Sequence, residues 1–289
     1  MEPWMIGLLG SSLIAAAAYI KRSFSRSGAM AAVILGTMMY TLGSLAWFGT
    51  LIIFFISSTV LSKLKHKRKE AAEKGYAKGG RRDAGQVAAN GGIGLLLCIG
   101  NAWMSDPIWW MVYVGVMATV TADTWATELG GLSKIAPRSI VTGKPVAPGT
   151  SGGITLLGLS ASAAGGLLIG ASAWLFMYLG SLPYAGLALS SSWTWVTLLE
   201  NKVGSLWVWL VIGGASGLVG SCIDSWLGAV WQVMYRCKKC GRELEKPIHC
   251  DYKADRIRGY VWLTNDVVNA ISSLWGGVVA LLLAFLVFM

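Results

Sequence analysis

Asp123 and Glu128 stand five residues apart in the stretch TADTWATELGG, at the end of an apolar run where an unpaired carboxylate is costly. On a helix Asp123 shares a face with Thr127, and Thr124 shares one with Glu128. The two acids diverge by about 140° but can still border one polar cavity. Carboxylates beside hydroxyls supply the hard oxygen ligands that Mg²⁺ takes, and Mg²⁺ usually comes with phosphate. Asp224 and Asp266 are two more acids inside or beside apolar runs. The cluster Asn265-Asp266-x-x-Asn269 puts Asp266 and Asn269 three apart on one face, a pattern suited to Mg²⁺ or a ribose. The competing uses are structural: hydrogen bonds between helices for the acids, and a helix cap for Asn265.

A second kind of chemistry is suggested by PVAPGTSGGIT. Gly149, Gly152 and Gly153 free the backbone to aim several N–H groups at one point, Thr150 and Ser151 add hydroxyls, and the next helix presents its positive end there. Phosphate is the natural guest. Lys144 and Arg138 are near enough in sequence to add charge, although the spacing is not that of a Walker A loop. Arg81, Arg82 and Asp83 precede another apolar run, with Gln86 and Asn90 one and two turns on. Asp83 is either a polar member of the site or an ordinary N-terminal helix acid. Near the C-terminus, Cys237-x-x-Cys240-Gly241 with His249 and Cys250 resembles a zinc knuckle whose role would be to fold its loop.

The elements that must position these groups are membrane helices. The chain of 289 residues is 55% hydrophobic and 13% charged, with 15 Trp and 37 Gly, as expected where lipid is the main solvent. Apolar runs at 3–20, 28–43, 45–62, 85–104, 108–128, 152–178, 204–235 and 262–288 are long enough for about eight spans in an all-α bundle, one transmembrane domain over 1–289. The stretch from Gly28 to Ser62 could instead be one bent hairpin. The first run carries its basic residues behind it, unlike a secretory signal, so it is expected to be retained, with no transit-like leader ahead of it.

Of 24 Lys and Arg, 23 fall in the alternate loops 21–27, 63–82, 129–150 and 236–258. The positive-inside rule then places those loops in the cytosol and both termini outside. The net charge of +10 thereby faces an anionic leaflet or anionic ligand, and a nucleic-acid partner is not expected. The basic segment 63–82 is expected as a surface helix and 236–259 as a cytosolic loop, where disulfides are not expected. Asp123-Thr124-Trp125 and Asp224-Ser225-Trp226 echo each other on two spans that run in the same direction. Gly213, Gly214, Gly217 and Gly220 read as helix-packing positions.

The motifs GGRRDAGQVAANGG, TADTWATELG, PVAPGTSGGIT, GSCIDSWLGA and TNDVVN, in this order, resemble the phytyl-phosphate kinase family of plastids and its microbial integral-membrane relatives. The likeness runs from about residue 20 to 289 and extends, more distantly, to dolichol kinase and CDP-diacylglycerol synthase. It implies transfer of the terminal phosphate of CTP, or another nucleoside triphosphate, to a prenyl monophosphate. On this reading Asp123, Glu128, Asp224 and Asp266 hold Mg²⁺, and Asp83 is a further candidate. Lys144, Thr150, Ser151, Gly152, Gly153, Asn90, Asn265, Asn269, Arg81 and Arg82 bind the substrates. A multi-pass protein of the plasma membrane with its site towards the cytosol is expected; the absence of a plastid leader leaves phytol itself unassigned. The rival classes are a transporter or flippase of a phosphorylated lipid or anion, and a scaffold whose acids only bond helices.

Overall fold

The computed structural model describes residues 2–64, 80–181 and 204–288, and among these the protein is mostly helical. The basic segment expected as a surface helix lies largely outside the described residues, as does most of the stretch 179–203. Among the described residues there are eight helices: α1 (Pro3–Ile20), α2 (Arg26–Gly43), α3 (Leu45–Ser62), α4 (Ala84–Trp103), α5 (Pro107–Gly130), α6 (Leu156–Ser181), α7 (Leu206–Val230) and α8 (Asn265–Phe288). By length and composition five of them could cross a membrane: α1, α3, α6, α7 and α8. The other three, α2, α4 and α5, are diluted by glycine, threonine and amides.

The breaks between helices have local causes. Ser25 starts α2 by accepting from the Gly28 N–H at 3.1 Å. Asp106 caps α5, followed by Pro107 at the first position, where a missing N–H costs nothing. The stretch from Gly28 to Ser62 is two helices. Ser44 separates them with φ of +119°, and its hydroxyl caps α3.

α5 is the axis of the bundle. It packs against α3, α4, α6, α7 and α8, and every residue from Trp110 to Ala122 except Val112 is buried. A helix buried on all sides belongs at the centre. Small residues let its neighbours close in: Gly115 lies against Gly276 and Ala280 of α8, and Gly217 of α7 against Ala122 and against Gly166 of α6. Gly213 meets Gly166 and Gly170, and Gly220 meets Thr119, so the glycine row on α7 is a packing face. Thr119 bridges α5 to the Ser216 carbonyl at 2.9 Å. Towards the start of α5, Trp47, Trp110 and Tyr113 form an aromatic cluster, in which the Tyr113 hydroxyl donates to the Trp47 carbonyl at 2.7 Å.

The all-α expectation needs one correction. Two polar connections fold as short antiparallel strands, because loops this long satisfy their backbone groups by pairing. β1 (Arg138–Ser139) pairs with β2 (Gly153–Ile154). After α7, β3 (Met234–Arg236) is flanked by β4 (Glu243–Leu244) and β7 (Asp255–Arg258), while β5 (Ile248–His249) pairs with β6 (Tyr252–Lys253).

Candidate active site

The ends of α5 and α7 and the starts of α4, α6 and α8 surround one cavity of about 790 Å³. All four acids singled out from sequence line it: Asp123 and Glu128 from α5, Asp224 from α7 and Asp266 from α8. The echo Asp-Thr-Trp and Asp-Ser-Trp has a structural counterpart, since Asp123 and Asp224 come within hydrogen-bonding reach of each other across α5 and α7. The two tryptophans part company: Trp125 donates to Ser57 Oγ at 3.3 Å, whereas Trp226 packs on Trp231.

Asp224 is buried and held from α8. Ser272 Oγ donates to its Oδ2 at 2.8 Å. With its amide oriented to satisfy the network, Asn269 donates to the same oxygen at 3.1 Å and to the Asn265 carbonyl at 3.2 Å. Two carboxylates so close call for a cation or a proton between them. Glu128 accepts from Ser62 Oγ of α3. Under the acids, Ser162 and Ser221 join α6 to α7 at 3.0 Å.

The glycine-rich loop forms another wall, with Gly149 through Thr155 lining the cavity. Gly149 and Gly152 both take φ of +84°, a region in which only glycine is unstrained. A side chain at Gly152 would also run into Ala229 of α7. Ser151 Oγ donates to Gln232 Oε1 at 2.9 Å, Gln232 Nε2 donates to Glu245 Oε1 at 2.8 Å, and Arg258 donates to the Ser151 carbonyl at 3.1 Å. The strands after α7 therefore clasp this loop from behind.

Arg82 closes the side towards α3 and α4. Its guanidinium donates to Thr59 Oγ1 at 2.9 Å and lies over Phe54 and Phe55. Burial lowers its pKa from the usual guanidinium range, and the charge on Glu128 partly opposes this. Arg82, Gln86 and Asn90 also line a second, apolar slot between α1, α2, α3 and α4, walled by Ile14, Ala15, Leu35, Phe48, Leu51 and Phe55. Arg82, Gln86 and Asn90 thus border both the polar cavity and an apolar one of about 60 Å³.

Of the phosphate-side residues expected from sequence, Arg82, Asn90, Thr150, Ser151, Gly152, Gly153, Asn265 and Asn269 line the cavity. Arg81, Asp83 and Lys144 do not. Asp83 forms a capping box with Gln86 at the start of α4, the plainer of its two expected uses. Arg81 donates to the Phe24 carbonyl at 3.3 Å. Lys144 follows a turn at Gly143, where the loop folds back on β1, and it is exposed. Sequence reasoning missed Glu245, which lines the cavity, its partner Gln232, and Arg258, which holds the Ser151 carbonyl. Gln232 is a buried amide just past an apolar helix, and that was the available signal. The four residues of the cysteine knuckle come together outside this cavity.

Residues 9–277 match the family described as integral membrane protein DUF92. The chain belongs to this family. It is 32% identical over 278 residues to Protein PGR of Arabidopsis thaliana, covering 91% of this chain and 90% of that protein. An uncharacterized membrane protein of Synechocystis is 28% identical over 248 residues, covering 80% of this chain and 94% of that protein. The chloroplastic Protein VTE6 of Arabidopsis thaliana is 25% identical over 285 residues, covering 96% of this chain and 69% of that protein. No solved structure matches the chain. The membership agrees with the family suggested by the five sequence motifs.

Proposed function

We propose that the protein is a membrane prenyl-phosphate kinase, transferring the terminal phosphate of a nucleoside triphosphate, with CTP the expected donor, to a polyprenyl or phytyl monophosphate. The observation that carries this reading is the meeting of Asp123, Glu128, Asp224 and Asp266 with the Thr150–Gly153 backbone in one cavity. Similarity to a chloroplastic relative and the likeness of the motifs to phytyl-phosphate kinases support it.

The donor set fits Mg²⁺: clustered carboxylate oxygens with amide and hydroxyl neighbours, and no sulfur or imidazole among them. When bound by Asp123, Asp224, Glu128 and Asp266, the ion would neutralise charge on the triphosphate. The chain's own groups do the positioning. The N–H groups and hydroxyls of the glycine-rich loop hold donor phosphates, and Asn265 and Asn269 lie where a ribose or phosphate oxygen can be bonded.

Arg82 stands between the polar cavity and the apolar slot. It would hold the acceptor phosphate while the prenyl chain lies along Ala15, Leu35 and Phe55. An oxygen of that phosphate attacks the terminal phosphorus of the donor. The new P–O bond forms as the bond to the bridging oxygen breaks, and a nucleoside diphosphate leaves. No general base is needed, because the acceptor is already an anion at neutral pH.

In this reading all eight helices cross the plasma membrane, both termini lie outside, and the cavity faces the cytosol where soluble nucleotide is available. The basic loops and the cavity then share one side, as the positive-inside rule requires. The test is to incubate purified protein with terminally labelled CTP, ATP, GTP or UTP, Mg²⁺, and farnesyl or geranylgeranyl phosphate. Labelled prenyl diphosphate is the expected result. No label with any pair, together with movement of a phosphorylated lipid across reconstituted vesicles, would replace the kinase by the transporter reading.

A further inference from the structure

The four side chains Cys237, Cys240, His249 and Cys250 lie in the segment between β3 and β6, and their ligand atoms all lie within 4.8 Å of one another. The sulfurs of Cys240 and Cys250 are 3.5 and 3.3 Å from the same ring nitrogen, His249 Nδ1. A tetrahedral zinc ion with Zn–S of about 2.3 Å and Zn–N of about 2.0 Å would hold its sulfur and nitrogen ligands about 3.5 Å apart. The Cys240 and Cys250 sulfurs already stand close to the separation from His249 Nδ1 that a zinc ion would impose.

The backbone around them is shaped for the same purpose. Gly241, at φ of +70°, lets the chain turn so that its N–H reaches the Cys237 carbonyl at 2.9 Å. The N–H groups of Lys239 and Cys240 point at the Cys237 sulfur. Amide donors around a sulfur are what a metal-bound thiolate accepts. In the β5–β6 hairpin, Cys250 and Asp251 occupy the two-residue turn with φ of +51° and +65°. That turn ordinarily takes Asn-Gly, because both positions need the left-handed region. Placing Cys there turns its sulfur back towards the ring of the residue before it, and so two adjacent residues can serve one ion.

We propose that this knuckle is a structural zinc site with a Cys₃His ligand set, and that the ion fastens the cytosolic strands that brace the glycine-rich loop. Four protein ligands close the coordination sphere, leaving no position for substrate. Its reach towards the cavity is indirect. Glu245 lies between the two halves of the knuckle and meets Gln232, which accepts from Ser151; Arg258, at the end of β7, holds the Ser151 carbonyl. The site stands whether or not the protein proves to be a kinase, because its readout is metal content.

The test uses the full-length protein purified in detergent without chelator after growth with added zinc, and measures metals by plasma mass spectrometry. About one zinc per chain is expected. Cys240→Ser or Cys237→Ser should abolish most of it, whereas Cys98→Ser and Cys222→Ser, away from the cluster, should leave it at the wild-type level. Should the knuckle variants fail to fold, Co²⁺ exchanged into the wild-type protein gives a second measurement: the expected visible spectrum is that of a tetrahedral, thiolate-rich site. A monodisperse wild-type protein that contains no zinc and gives no such Co²⁺ spectrum overturns the assignment. So does iron in place of zinc, or zinc that survives loss of Cys237 and Cys240.

Discussion

Asp123 and Asp224, 101 positions apart in the chain, face each other across the contact between α5 and α7 within hydrogen-bonding reach. Asp224 is further held by Ser272 and Asn269 of α8. Three helices are thereby tied to one pair of carboxyl groups. If the pair acts as a unit on Mg²⁺, Asp123→Asn and Asp224→Asn should each lower kcat by about 100-fold or more. The double variant should be scarcely worse than either single one. Initial rates of labelled diphosphate formation measure this. Tm should stay level or rise, since each change removes one of two like charges; a large fall in Tm would mark the pair as structural.

Gly152 combines a left-handed backbone with direct contact to Ala229. Gly152→Ala should cost about 1–3 kcal/mol of stability and raise KM for the nucleotide. Adding Ala229→Gly should recover only part of the stability, because it removes the Ala229 Cβ contact while the clash with the Ala229 backbone and the unfavourable φ remain. Thermal melts of the single and double variants in one detergent measure the share that the Ala229 side chain contributes.

Arg82 uses its planar fork on Thr59 and its flat face on Phe54 and Phe55. Lysine keeps the charge but loses both features. Arg82→Lys should raise KM for the prenyl phosphate by about 10-fold or more, the worth of one charged hydrogen bond, with less change in KM for CTP. Lys144→Ala, by contrast, should alter either parameter less than about twofold, because an exposed lysine away from the cavity makes no substrate contact.

The apolar slot makes a separate claim about chain length. Ala15→Phe fills it beside Leu35 and Phe55. Geranylgeranyl phosphate should become a poorer substrate by about 10-fold, while a five-carbon prenyl phosphate, too short to reach, should be almost unaffected. Equal loss with both lengths would place the lipid tail elsewhere.

Much of the cavity was legible before any coordinates, because membrane-embedded acids have few tolerable surroundings. Asp123, Glu128, Asp224 and Asp266 each sit near the end of an apolar run, and charge distribution put those ends on one side. Pairing across the bundle then follows from packing. Lys144 was misleading for a simple reason: sequence distance from Thr150 is short, but β1 and the turn at Gly143 carry it the other way. Glu245 could not be foreseen, since it reaches the cavity only through the fold of the strands after α7 and its bond to Gln232. The same holds for the count of spans. α5 is less apolar than its neighbours because helices, not lipid, surround it, and hydropathy measures contact with lipid.

The direction of the helices divides the cavity. α5 and α7 finish there, so their partially negative carbonyl ends and their aspartates make one wall hospitable to a cation. α4, α6 and α8 begin there, and their exposed amide ends favour anions on the remaining walls. A chelated triphosphate, with metal on one side and phosphates on the other, would therefore have one preferred orientation before any side chain contacts its base. Base selectivity should accordingly be weaker than selectivity for the number of phosphates.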